Sequence, residues 1–359
     1  MLIRKVLYII NIVCALILAC TYIPAFVAQD IFSSLSLLGY LYPFFLVINV
    51  CFIILWLFIK PRHIILPLLV IALRFDYVKR LFAFHAEGGQ GDIKVLTYNL
   101  KDFAHKNEAY DLKQVGRLQD SVIEYIASTG ADIVCFQDYD SDITWHGGFH
   151  ACMVDSLGYN HFYYYNIKSR NVSNCAVYSK YPVTDAGSVL PDNGRNYMYI
   201  YADIKTPVQT VRVYNIHLAS YMLGQREQAD YSAMMKGRIS DSAGRNIIRK
   251  LLVANKARAG QIRELLPLLK NSVKPVIIAG DFNDHPFSNT YRKFAKEYSD
   301  AFVTAGRGLG RTYNGVFPAY RIDYIFYKKS RLEAVGYESP ALDYSDHYPV
   351  LVTFKIKRQ

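Results

Sequence analysis

The sequence predicts a chain in two unlike parts: an apolar N-terminal region that crosses a membrane two or three times, then an α/β domain with more than one β-sheet. Three observations predict this. Arg4, Lys5 and Asp30 are the only Asp, Glu, Lys or Arg residues among the first 59. From Ile93 onward, short runs rich in β-branched and aromatic residues alternate with helical patterns. Polar residues recur where those apolar runs end, which is where a strand leaves its core and faces a cleft.

The stretches 6–29 and 31–59 carry no charge, and each is long enough to span a bilayer, which takes roughly 20 apolar residues. Arg4 and Lys5 before an apolar run, with small residues around Ala28, also describe a signal peptide, but a second span follows at once, which favours a retained, multi-pass anchor. The third run, Ile64 to Leu73, is ten residues long before Arg74. It reads either as a short tilted span with Arg74 snorkelling or as an interfacial helix. With two spans the clusters Arg4/Lys5, Lys60/Arg62 and Arg74/Lys79/Arg80 all face the cytoplasm; with three, the last cluster and the domain after it lie outside. Sidedness is open at this level.

Residues 1–84 therefore form the anchor region, 85–91 a short flexible linker around Glu87-Gly-Gly-Gln-Gly91, and 92–359 the α/β domain. Within that domain Ile93–Asn99, Asp132–Gln137, Cys175–Ser179, Tyr197–Ile204, Thr210–His217, Val276–Ala279, Ile322–Tyr327 and Val350–Ile356 read as strands. Helical periodicity occupies 111–128 and 244–270. Of the formal charge of +11, the anchor holds 7 basic minus 2 acidic residues, or +5, leaving +6 for the 275 residues that follow. That excess permits an anionic ligand without demanding a nucleic acid. Six cysteines without CxxC spacing indicate neither a disulfide framework nor a zinc site.

The strand ends carry the chemistry. Asn99 closes Val-Leu-Thr-Tyr-Asn, Gln137-Asp138 closes Ile-Val-Cys-Phe, and His217 closes Tyr-Asn-Ile-His. Asp281-Phe-Asn283 follows Ile-Ile-Ala-Gly, Asp323 sits in Arg-Ile-Asp-Tyr-Ile-Phe, and Ser345-Asp346-His347 precedes the last strand. Any one of these is an ordinary turn former, cap or core histidine. Together they gather carboxylates, amides and imidazoles at the ends of separate strands.

In that order the motifs, with Gly-Asp-Phe-Asn-Asp and Ser-Asp-His-Tyr-Pro-Val the most specific in combination, resemble the endonuclease/exonuclease/phosphatase superfamily over about residues 92–357. The resemblance implies a four-layered sandwich, two packed β-sheets flanked by helices, with an active site at one end of the sheets. It implies that Asn99, Asp138 and Asp346 bind Mg²⁺ or Mn²⁺, hard cations that favour oxygen ligands. It implies that Asp281 and Asn283 activate water and hold phosphate, that His217 contacts a phosphate oxygen or leaving group, and that Asp323 and His347 form an acid–imidazole pair. The implied activity is metal-assisted hydrolysis of a phosphate ester, most readily a diester, with a catalytically weak membrane-bound binding protein as the alternative. In one respect the chain departs from the family: the metal-binding position after Gln137 is usually glutamate, and here Asp138 is one methylene shorter.

Other features carry less. Arg321 either holds a carboxylate or reaches phosphate. His146 and His150 have HxxxH spacing but flank paired glycines, Gly306-x-Gly308-x-Gly310 lacks the setting of a dinucleotide fingerprint, and Asn171-Val-Ser173 is a common tripeptide. The basic segment 219–256, with Arg226, Lys236, Arg238, Arg245, Arg249, Lys250 and Lys256, reads as a substrate-facing lid, a membrane-contacting helix or a solvated face. The expected partners are the bilayer and a phosphate ester: a nucleic-acid strand, a lipid head group or a nucleotide-like ester. No obligate protein partner is indicated.

Overall fold

The computed structural model describes residues 2–27, 31–86, 88–104, 112–139, 148–165, 174–189, 198–221, 229–230, 233, 241–270, 272–315 and 321–358. The strands, in chain order, are β1 (Phe82–Phe84), β2 (Ile93–Asn99), β3 (Ile133–Gln137), β4 (His161–Tyr165), β5 (Cys175–Ser179), β6 (Val183–Val189) and β7 (Met198–Lys205). They continue with β8 (Thr210–His217), β9 (Val276–Asp281), β10 (Ser299–Asp300), β11 (Arg307–Leu309), β12 (Asp323–Tyr327), β13 (Leu332–Glu338) and β14 (Val350–Ile356). One six-stranded sheet has the order β13-β14-β2-β3-β5-β4, the other β10-β12-β9-β8-β7-β6. Each contains one parallel pair, β2 with β3 and β8 with β9.

Strand periodicity explains the layering. Ile93, Val95, Ile133, Cys135, Val211, Val213, Ile277, Ala279 and Ile325 alternate along their strands and fill the space between the sheets. Each fully buried Ile or Val there contributes about 1.5–3 kcal/mol. The opposite parity faces helices. Leu96, Tyr98, Val134 and Phe136 meet α5 (Leu112–Thr129) through Val115, Val122 and Ile126. Tyr214, Ile216, Ile278 and Tyr324 meet the long helix Asp241–Lys270 through Ile262, Leu265 and Leu269. Helix, sheet, sheet, helix is the expected four-layered sandwich.

Strands β1, β4, β6, β10, β11 and β13 are additions to the sequence reading; β1, β10 and β11 are only two or three residues long. β4 and β6 carry mixed or aromatic-polar residues without clean alternation, as in His-Phe-Tyr-Tyr-Tyr and Val-Thr-Asp-Ala-Gly-Ser-Val. β4, β6 and β13 are the outermost strands of their sheets, and β13 still alternates buried with more exposed residues.

The N-terminal region contains α1 (Leu2–Cys20), α2 (Tyr42–Ile59), α3 (Ile65–Leu73) and α4 (Phe75–Leu81). Leu2–Ala25 and Leu35–Ile59 are long and apolar enough to cross a membrane; Pro61–Leu73 is shorter. Tyr8, Trp56 and His63 meet at one end of the bundle, with ring centroids 6.2, 4.0 and 4.9 Å apart. Tyr22, Tyr42 and Tyr77 meet at the other, at 6.1, 5.4 and 5.2 Å. The three passes between these levels are each 14 residues (22 − 8, 56 − 42, 77 − 63), about 21 Å if helical throughout. The third apolar run thus carries the chain back along the bundle, and Arg74 ends it over the Tyr77 ring at 4.0 Å.

The near end of this bundle packs on the α/β domain. Leu18, Tyr22, Ala25, Tyr42 and Tyr77 share a buried cluster with Phe287. Asn289 Nδ2 donates to Ala25 O at 2.7 Å, and Arg80 Nη1 to Pro286 O at 2.8 Å. The flexible linker expected at 85–91 is instead bound to the domain at several points: Gly89 N donates to Val335 O at 2.8 Å and His85 N to Gly306 O at 3.2 Å. Gly88 and Gly91 serve close approach rather than looseness, since a Cβ would stand 2.8 Å from Gly336 Cα at the first and 2.6 Å from Phe354 O at the second.

Candidate active site

The parity that builds the inter-sheet core continues past it into polar residues. Asn99 follows Ile93, Val95 and Thr97 on one face of β2; His217 follows Val211, Val213 and Asn215 on β8; Asp281 follows Ile277 and Ala279 on β9. Register places His217 opposite Asp281 across β8 and β9, and Asp281 opposite Asp323 across β9 and β12. Gly280 allows that pairing: its φ is +139°, and a Cβ there would lie 1.9 Å from Ile216 O.

A polar layer separates the apolar core from the site. Gln137 Nε2 donates to Asn215 Oδ1 at 2.6 Å, and Asn215 Nδ2 reaches across to Phe136 O and Ala176 O at 2.8 and 2.9 Å. These bonds tie the two sheets together just beneath the chemistry.

Above that layer the predicted residues converge. Asn99 Nδ2 donates to Asp281 Oδ2 across the sheets at 3.0 Å. Asn283 donates to the same carboxylate twice, from its backbone N at 2.7 Å and its Nδ2 at 3.1 Å. His217 Nε2 lies 3.4 Å and His347 Nε2 3.8 Å from Asp281 Oδ2. His347 Nδ1 is 3.0 and 3.1 Å from the Asp323 oxygens. Asp138 joins from the other sheet, 3.7 Å from His217 Nδ1. Thr312 Oγ1 accepts the amides of Ile322 and Asp323 at 3.0 Å, and the Tyr313 ring lies 5.3 Å from His347.

Burial divides this set. The side chains of Asp281, Asp323, His217 and His347 are 1–8% exposed, whereas those of Asp138 and Asp346 are 22% exposed and form the open side. Burial alone would depress the His347 imidazolium, but Asp323 and then Asp281 more than offset it and raise its pKa to about 10. Burial pushes the Asp281 carboxyl up, with Asp323 adding, against the pull of the two histidines.

Backbone strain gathers here. Lys101, Asp102, Phe103, Asp138 and Asn283 are the non-glycine residues with positive φ among the described residues, between +44° and +52°. Strand parity would send Asp138 to the helical face, because Gln137 faces the core; the left-handed turn re-aims it towards His217. Such conformations cost about 1–3 kcal/mol each and cluster where geometry serves function.

Two readings of a cation site follow from the donors. Asn99, Asp138 and Asp346 are hard oxygen donors, and Asp346 Oδ1 is buried without a hydrogen-bond partner, as suits an ion. Asp281, Asp323 and His347 also bring ligand atoms within 4.8 Å of one another, but there His347 Nδ1 is already bonded to Asp323. Sequence reading missed Lys101, whose Nζ reaches Asp346 Oδ2 at 2.5 Å and whose N donates to Asn99 Oδ1 at 2.9 Å. A lysine two residues past a strand-end asparagine was the available signal.

Arg321 is structural. It is fully buried, pairs with Asp300 at 2.7 and 3.0 Å, and lies 4.6 Å from the Phe302 and Tyr324 rings. His150 bonds the Tyr178 hydroxyl at 2.7 Å. Its HxxxH companion His146, the Asn171-Val-Ser173 tripeptide and the basic residues Arg226, Lys236 and Arg238 lie outside the described residues.

The model of the Endonuclease/Exonuclease/phosphatase family matches residues 96–347, and one described as a domain of unknown function (DUF8431) matches residues 4–81. No curated protein matches the chain. Among solved structures, the human Nocturnin catalytic domain with bound sulfate superposes with a TM-score of 0.53 at 17% identity, covering 75% of this chain and 96% of that one. An endonuclease/exonuclease/phosphatase from Bacteroides vulgatus gives 0.52 at 18%, covering 75% and 100%. ANGEL2, a 2',3'-cyclic phosphatase in complex with adenosine-2',3'-vanadate, gives 0.53 at 18%, covering 75% and 97%.

Proposed function

The chain belongs to the endonuclease/exonuclease/phosphatase family, and on that premise we propose that it is a membrane-anchored, divalent-metal-dependent phosphodiesterase. The observation that carries the reading is the continuous set of contacts from Asn99 through Asp281 to His217 and to the His347–Asp323 pair, opening on Asp138 and Asp346.

Asn99, Asp138 and Asp346 would hold Mg²⁺ or Mn²⁺, which supplies positive charge for the phosphoryl oxygens and the departing oxygen. Asp281, its oxygens oriented by Asn99 and Asn283, takes the proton of the attacking water. Oxygen then adds to phosphorus as the ester P–O bond breaks in line. His347, kept cationic and oriented through its Nδ1–H by Asp323, offers Nε2–H to a phosphoryl oxygen. His217 faces a phosphoryl oxygen or the leaving group.

The substrate is a phosphate ester. A nucleic-acid strand, a lipid head group and a nucleotide-like ester all present the diester this site accepts, and the vanadate ester bound by ANGEL2 is likewise an oxyanion ester. The test is turnover of the full chain, in micelles, on a panel of all three with and without Mg²⁺. Metal-dependent hydrolysis of one class supports the reading. Binding without hydrolysis makes the chain a binding protein instead, and inertness towards all three refutes both.

The helical bundle also supports a three-pass anchor. The far end carries four basic residues, Arg4, Lys5, Lys60 and Arg62, against three at the domain end, Arg74, Lys79 and Arg80, of which Arg74 and Arg80 pair with Asp76 at 2.8 and 2.6 Å. The positive-inside preference then puts the N-terminus in the cytoplasm and the catalytic domain on the opposite face. Cysteines introduced near residue 5 and near residue 357 should be labelled from opposite sides of sealed vesicles; labelling from one side refutes this.

A further inference from the structure

We propose that the turn Leu35–Leu41 of the anchor is part of the catalytic machinery's support, positioning the two loops that carry His217 and Asp281–Asn283. The inference rests on the reading of those residues as the working groups.

The turn enters a buried polar cluster at the active-site end of the second sheet. Arg258 is fully buried. Its Nη1 donates to Ala219 O at 2.8 Å and its Nη2 to Tyr221 Oη at 2.8 Å and to Asn255 Oδ1; Asp284 Oδ2 is 3.5 Å from its Nε. A buried guanidinium is tolerable only while its acceptors stay in place. Two of those acceptors are held by the anchor: the Tyr40 hydroxyl bonds that of Tyr221, and Asn255 Nδ2 donates to Ser36 Oγ.

A second arm runs through His285. Its ring packs 4.3 Å from the Tyr40 ring, and Nδ1 accepts the Phe287 amide at 3.2 Å. Gly39 lies directly on that ring, where a Cβ would stand 2.3 Å from Cε1. The ring has no room to yield, being 2% exposed and enclosed by Tyr40 and Phe287.

Both arms lead to the site within a few residues. Asp284-His285 directly follow Asp281-Phe-Asn283, and Ala219 and Tyr221 follow His217. The loops are also laced together, by Asn283 Nδ2 to Leu218 O at 2.9 Å and Leu218 N to Asp281 O at 2.9 Å. A shift of His285 or Tyr221 is therefore transmitted to Asp281 and His217.

The test uses the full chain in lipid nanodiscs, with bis(4-nitrophenyl) phosphate as probe and hydrogen exchange of the peptides covering 217–221 and 281–287 as a second readout. Gly39→Val should lower kcat about ten- to a hundredfold, the scale of an ångström-level misplacement, with KM changed less than about threefold. It should also speed exchange in both peptides. Adding His285→Ala removes the colliding ring and should recover part of kcat. Tyr40→Phe, which removes only a hydroxyl, should speed exchange at 217–221 if Gly39→Val fails to fold. Unchanged exchange in the folded variants, or a double variant no better than Gly39→Val, overturns the proposal. If the wild type hydrolyses nothing, the proposed activity fails, while exchange still decides the coupling.

Discussion

Replacing Asp323 by asparagine keeps the shape of the acid–imidazole pair and removes its charge. Both Asp323 oxygens lie 3.0–3.1 Å from His347 Nδ1, in a site where these side chains are 2% and 8% exposed. At 3 Å and an effective dielectric of about 20, one unit charge acting on the imidazolium is worth about 5 kcal/mol. Spread over tenfold steps of 1.4 kcal/mol each, that would be a factor of about 10³–10⁴ if none were recovered. Asp281, 3.8 Å from Nε2, recovers some of it. Asp323→Asn should therefore reduce kcat by about 10²–10³, the scale of losing one charge-stabilising donor in the transition state. The assay is steady-state hydrolysis of bis(4-nitrophenyl) phosphate by the full chain in nanodiscs, with thermal unfolding as a check on folding. A folded Asp323→Asn protein within about threefold of wild-type kcat would show that the pair does not keep His347 charged for the reaction.

Three further predictions test other parts of the structure. Asp138→Asn should weaken Mn²⁺ binding, followed by paramagnetic resonance, whereas Asp138→Glu should retain it if the left-handed backbone leaves room for the extra methylene; binding unaffected by Asp138→Asn removes Asp138 from the ligand set. Lys101→Met takes an ammonium from Asp346 and should tighten Mn²⁺ binding several-fold; weaker binding would mean that Asp346 does not face the metal. Asp203 is fully buried between Arg212, at 2.6 and 2.7 Å, and Lys274; burial alone would raise its carboxyl pKa, but those partners bring it below the ordinary value. A lowered folded-state pKa means this stability is present above the unfolded value, about 3.9, and is lost as pH falls through the folded one. Because Arg212 and Lys274 are 21% and 36% exposed, Asp203→Asn should cost about 1–3 kcal/mol in urea unfolding at neutral pH and flatten the acid limb; an unchanged midpoint refutes the pairing.

The sequence by itself determined the strand cores and the residues at their ends. Ile93–Asn99, Cys175–Ser179, Thr210–His217 and Val350–Ile356 were readable to the residue, because β-branched and aromatic residues dominate strands buried in a sandwich. Asn99, Asp138, His217 and Asp281 stand out in the sequence because each lies at the end of an apolar run, whereas Asn283, Asp323, Asp346 and His347 stood out as candidates only through motifs that resemble the family. The tertiary structure decided what depends on which exits meet: that Asn99 reaches Asp281 from the other sheet, that Asn283 orients Asp281, and that Lys101 lies on Asp346. It decided that Arg321 belongs to Asp300, because burial among aromatic rings is invisible in a strand pattern. It decided the return of the third apolar run, which hydropathy could not separate from an interfacial helix, and the packing of Gly39 and Tyr40 on a loop some 246 residues away (285 − 39). Periodicity records which face of an element is buried. It carries no information about which distant segment covers that face, since the hydrophobic effect is non-directional and many apolar or aromatic surfaces would serve equally well.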